Sequence, residues 1–137
     1  MLVVLDTNVL ISALLYKKRL GKIGDLIEQG SLTPCFIAST WRELESVLRY
    51  PKFQPKIKSL NTTPEEIAQS LSLQSAIFPD PNNVPKLVTH SGDNFILATT
   101  IAAKASYIIT GDKELLALKK FKNTSIISPV QFTQIVL

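Results

Sequence analysis

Two stretches of the chain share one pattern, an apolar β-branched run that ends in an acid: LVVL leads into Asp6, in LVVLDTN, and YIITG leads into Asp112. A short apolar run bounded by polar turn formers reads as a buried strand, so both acids are expected just past strand carboxyl ends. In open α/β sheets ligands bind in the crevice outside those ends. Glu43 is expected in the first turn of the helix after LTPCFI, and Asp93 in the first turn of the helix that leads to YIIT. Helices that follow parallel strands begin at the same edge, so Asp6, Glu43, Asp93 and Asp112 can converge on one pocket.

Such a cluster repels itself unless cations occupy it or protons neutralise part of it. Oxygen-only ligation selects hard ions, which makes Mg²⁺ or Mn²⁺ the expected cofactor, with waters completing the shell. The single His90 and single Cys35 argue against a zinc site of ordinary composition. A carboxylate site with two divalent ions suits phosphodiester hydrolysis, one ion activating water and the other stabilising the leaving oxygen. Each acid also has a purely structural reading. Asp6 and Asp112 can cap the helices that follow them, Glu43 can complete a capping box with Thr40, and Asp93 can favour a helix dipole.

The elements that must position these groups follow from apolar spacing. NVLISALLY reads as a helix that stops at the basic run KKRLGK, and residues 20–29 read as a second, with Ile23, Leu26 and Ile27 inward and Gly30 as its stop. LTPCFIAS reads as a strand in which Pro34 favours an edge or a strand end. A helix capped by Thr40 follows, with Trp41, Leu44, Val47 and Leu48 as one stripe, ending at Tyr50 and Pro51. Residues 52–60 suggest a surface connection or a short irregular helix. Thr63, Pro64 and Glu66 open another helix. FPDPNNVPK is the least patterned stretch; a short strand is expected on each side of it, and its first part, Phe78 to Asn83, is open to two readings, a substrate loop or a homodimer contact. HSGDNFILATTIAAKA, GDKELLALKK and PVQFTQIV read as helices, and YIIT and TSIIS as strands. Alternation of this kind predicts parallel strands joined by right-handed crossovers: an α/β fold, a three-layer α/β/α sandwich around a central parallel sheet, of the Rossmann-type doubly wound kind.

The chain has 137 residues, of which 45% are hydrophobic, enough for one compact domain over residues 1–137. A lone cysteine rules out an intrachain disulfide and suits a reducing, cytoplasmic compartment. The apolar start lacks the basic leading region of a signal peptide, and no run is long enough to span a membrane. Fifteen Lys and Arg against eleven Asp and Glu give a net charge of +4. The cations cluster: Lys17, Lys18, Arg19 and Lys22; Arg49, Lys52, Lys56 and Lys58; Lys119, Lys120 and Lys122. They read either as solvated faces or as contacts to a polyanion, and the first cluster is the candidate nucleic-acid contact.

DTNVLISALL, the Glu43 helix, GDNFILATTIAAKASYIITGDKELLAL and SIISPVQFTQIV together resemble a PIN domain, in the bacterial branch assigned as toxins of toxin–antitoxin pairs (VapC-like). The resemblance covers residues 2–136 and implies a metal-dependent ribonuclease on a parallel sheet between helices. It implies Asp6, Glu43, Asp93 and Asp112 as the acidic, metal-binding cluster, Asn8 and Thr110 as supporting polar groups, an RNA substrate and a cognate antitoxin as partner. The chain departs from this branch at Thr89, His90, Ser91 and Gly92, where relatives carry a more acidic segment ahead of the aligned Asp93. Fewer carboxylates there weaken a second metal site and keep a rival in view, a catalytically degenerate PIN-like module that binds protein or RNA. A third reading, phosphotransfer through an aspartyl nucleophile, suffers because DTN lacks the second acid of a DxD arrangement.

Overall fold

The computed structural model describes residues 1–87 and 91–136 of the chain. Strand β1 (Leu2–Leu5) alternates its side chains between two cores: Val3 and Leu5 face one, Val4 the other. β2 (Thr33–Ile37) and β4 (Tyr107–Ile109) flank β1 in parallel, β3 (Ala76–Phe78) lies outside β2, and β6 (Thr124–Ile127) outside β4. The order among the described residues is β3-β2-β1-β4-β6-β5, and only β5 (Lys120–Phe121) is antiparallel.

Helices cover both faces. α1 (Thr7–Leu15), α2 (Lys17–Glu28), α3 (Ala38–Leu48), α5 (Pro64–Leu73) and α8 (Pro129–Val136) pack over Val3, Leu5, Phe36 and Ile109. α6 (Ser91–Ala103) and α7 (Lys113–Leu118) pack over Val4, Cys35, Ile108 and Ile126 on the other face. The expected three-layer, doubly wound sandwich is therefore the observed one, with one antiparallel edge strand added.

Several local expectations change. α1 ends at Leu15, before the basic run KKRLGK as expected, but the second helix starts earlier than residue 20: α2 begins at Lys17 within that run and kinks at Leu20 (φ −129°, ψ 29°). Pro34 sits near the start of β2, a strand bonded on both sides, so its strand-end reading holds and its edge reading does not. Residues 51–59 form a 3-10 turn (Pro51–Phe53) and α4 (Gln54–Ser59). Thr63 caps α5 as expected, accepting from the Glu66 N–H at 3.1 Å. β3 lies on the near side of the proline-rich stretch; the strand expected on its far side falls on residues 88–90, which lie outside the described residues. The loop after β3 is tied to the start of α3, where Asp80 accepts from the N–H and hydroxyl of Ser39, with the N–H at 2.8 Å. Those two bonds, with Arg42 3.8 Å away, hold the Asp80 carboxyl below its ordinary range.

Candidate active site

The chain runs outward from β1 through β2 to β3, then returns to place β4 on the other side of β1. The crevice past the carboxyl ends of β1 and β4 is thus the switch point of the sheet. Asp6 leaves β1 there, its N–H donating to Ile109 O at 3.2 Å. Its Oδ1 accepts from the Val9 N–H at 2.8 Å, capping α1. Its Oδ2 accepts from the Thr110 hydroxyl at 2.5 Å and the Gly111 N–H at 3.3 Å. Asp6 thus caps α1 through one oxygen, as its structural reading expected, and is fixed by Thr110 and Gly111 through the other.

Asp112 repeats the arrangement one strand over. Its Oδ1 accepts from the Leu115 N–H at 3.0 Å and caps α7, while its own N–H donates to Thr110 Oγ1 at 3.0 Å. The fully buried Thr110 hydroxyl links the two acidic turns and stands behind Asp6 rather than in the cavity lining. Asp93 lies in the first turn of α6, half-buried.

Glu43 arrives differently from the expectation. α3 begins at Ala38, with Ile37 as its cap, so Thr40 is the third helical residue and bonds back to the Ile37 N–H at 3.0 Å. The Thr40–Glu43 capping box does not form. Glu43 falls in the second turn, exposed and without a capping bond.

Asp6, Asn8, Glu43, Asp93 and Asp112 nonetheless line one cavity of about 620 Å³. All the polar donors these residues can offer a cation are oxygens or an amide, the chemistry of a hard-ion site. Among the described residues, no three acids approach closely enough to grip one ion together. The four share a pocket and not a single coordination sphere. The arrangement fits a cation such as Mg²⁺, which keeps several waters and takes one or two carboxylates directly.

The PIN domain family model matches residues 2–114, a span that includes all four acids. The chain belongs to the PIN domain family. Among solved structures, the PIN domain resembles a chain of the crystal structure of VapBC2 from Rickettsia felis bound to a DNA fragment from their promoter. That likeness has a TM-score of 0.61 and 14% identity and covers 93% of this chain and 98% of the other, a match of fold. No curated protein matches the sequence.

The cations of this PIN domain are distributed unlike the expectation. Lys17, Lys18, Arg19 and Lys22 are exposed on α2, but none lines the acidic cavity; Lys17 lines a smaller one between α2 and α5. Lys122 sits in the turn before β6, at the opposite edge of the sheet. Among the described residues, the cation that lines the cavity is Lys52, accompanied by Tyr50 and Phe53. Ser12 also lines it, one helical turn beyond Asn8, and that four-residue spacing was available in the sequence. Thr89 and His90 lie outside the described residues, as do the side chain of Ser91 and the burial of Gly92.

Proposed function

We propose that this PIN domain is a metal-dependent endoribonuclease and the toxin of a toxin–antitoxin pair. The observation that carries the reading is the single cavity shared by Asp6, Glu43, Asp93 and Asp112 at the switch point of the sheet. Membership of a nuclease family supports phosphodiester hydrolysis, and the VapBC2 likeness supports an antitoxin partner.

Asp6, Asp93 and Asp112 would hold Mg²⁺ or Mn²⁺, one or two of them directly and the rest through water, and Glu43 would hold an ion or orient the attacking water. The ion, when bound, supplies Lewis-acid charge stabilisation and lowers the pKa of water. The protein's part is orientation. Thr110 and the Gly111 N–H fix Asp6, and the cap bond to Leu115 fixes Asp112, so neither carboxylate must be ordered when substrate arrives. Asn8 and Ser12 offer further polar groups on the same wall.

A binding module without cleavage is the second reading, favoured by the absence among the described residues of three acids placed around one point. The test is cleavage of labelled single-stranded RNA, with single-stranded DNA beside it, by wild type and Asp6→Asn in Mn²⁺ and in chelator. Cleavage of RNA by wild type alone, lost in chelator, is the expected result. Equal action of both proteins would remove the nuclease reading, and binding without cleavage would replace it with the module.

A further inference from the structure

We infer that residues 50–53 form a subsite that stacks one unpaired nucleobase on Tyr50 and holds a neighbouring phosphate on Lys52. The inference rests on the reading of the cavity as a nucleic-acid site and adds to it how the strand is gripped.

Tyr50, Lys52 and Phe53 line the cavity that holds the four acids. Tyr50 is 46% exposed, although apolar Val47 beside it in the lining is buried. A large ring left open inside a cavity has surface to offer a flat apolar ligand. Lys52 adds the complementary charge. It forms no ion pair with any carboxylate among the described residues, despite the acids that share its cavity. Its ammonium lies 5.0 Å from the centre of the Phe53 ring, on a stem the ring supports.

The segment is also built to stay in place. Pro51 restricts Tyr50 to extended backbone (φ −61°, ψ 137°) at the end of α3. The Phe53 N–H donates to Tyr50 O at 3.0 Å. Gln54 Nε2 donates to Leu48 O at 2.8 Å and Tyr50 O at 2.9 Å, joining the turn to the last carbonyls of α3. Ring and ammonium are therefore presented on a braced turn, and little ordering is needed on binding. A single-stranded polynucleotide carries both required features, a π-face and an anion, on one chain.

Binding is measured by fluorescence anisotropy in chelator, where no cleavage occurs, with labelled oligouridine and an abasic strand of equal length. Base stacking is worth about 1–3 kcal/mol, so wild type should prefer oligouridine by at least about fivefold. Tyr50→Phe should keep that preference and Tyr50→Leu should abolish it. Lys52→Gln should weaken both strands alike and reduce the slope of log affinity against log salt by about 0.7, the loss of one single-strand phosphate contact. Both positions are exposed, and unchanged melting temperatures show that the variants are folded. Equal binding of the two strands by wild type, a preference that survives Tyr50→Leu, or an unchanged slope in Lys52→Gln would overturn the inference. Failure of the nuclease reading gives a different result, a base preference intact in a protein that cleaves nothing with Mn²⁺.

Discussion

Thr110 and Asp6 stand 104 positions apart in the chain, and the threonine hydroxyl donates to Asp6 Oδ2 at 2.5 Å. The same oxygen of Thr110 accepts from the Asp112 N–H, so one buried hydroxyl sets two of the four cavity acids. Thr110→Val keeps the shape of the side chain and removes both bonds. Leaving these groups without their partner should lower the unfolding free energy by about 1–3 kcal/mol. Urea unfolding measures it, and a midpoint equal to that of wild type would mean that the hydroxyl contributes nothing to the turn.

A second prediction concerns the packing of α1 on α2. A Cβ added at Gly24 would stand 2.5 Å from the backbone oxygen of Ala13. Alanine is the better helix former by roughly 1 kcal/mol, yet the contact is with backbone, which cannot swing aside. Gly24→Ala should therefore destabilise the protein, by about 1–3 kcal/mol in the manner of an overpacked core. A stabilised variant would show that α2 shifts freely over α1.

These two sites mark how far the sequence is legible. Asp6 and Asp112 could be read as strand-end acids because strand, acid and following helix are contiguous, and their caps are local bonds. The start of α3 differs from the expectation because Thr40 has the same spacing to Glu43 as a capping residue. The chain instead turns helical directly from β2, where Thr40 can bond back to Ile37. β5 escaped because Lys120 and Phe121 carry no strand pattern; their pairing with Ser125 and Thr124 follows from a turn at Lys122, whose φ is 53°. The place of Lys52 at the cavity, and the absence of Lys17, Lys18 and Arg19 from it, depends on how α2 and α3 pack. Charge clustering along the chain holds no information about that.

The buried thiol gives a prediction in pH. Burial pushes Cys35 up from its ordinary 9.0 to about 11, against smaller lowering effects of a backbone hydrogen bond at Val3 and the N-terminal charge. The folded protein then keeps its proton at a pH where the unfolded chain has lost it. Stability from this group should be constant below about pH 9 and fall as pH rises toward about 11. Urea unfolding across that range should show the decline in wild type and a smaller one in Cys35→Ala, whatever offset the lost sulfur causes. Parallel curves would place the titration elsewhere.

The holding of metal by the acidic cavity is tested most directly by scanning calorimetry of wild type and Asp6→Asn, each with chelator and with Mn²⁺. Metal at a hundredfold its dissociation constant stabilises the folded state by about 2.7 kcal/mol, a rise in melting temperature of about 8 to 14 °C for a domain of this size. Asp6→Asn keeps an oxygen to cap α1 and removes one charge from the cavity, at the cost of turning an amide toward the Gly111 N–H. Its metal-free stability should stay near that of wild type while most of the Mn²⁺ response disappears. An equal rise in both proteins would contradict the account and leave Asp6 as a helix cap alone.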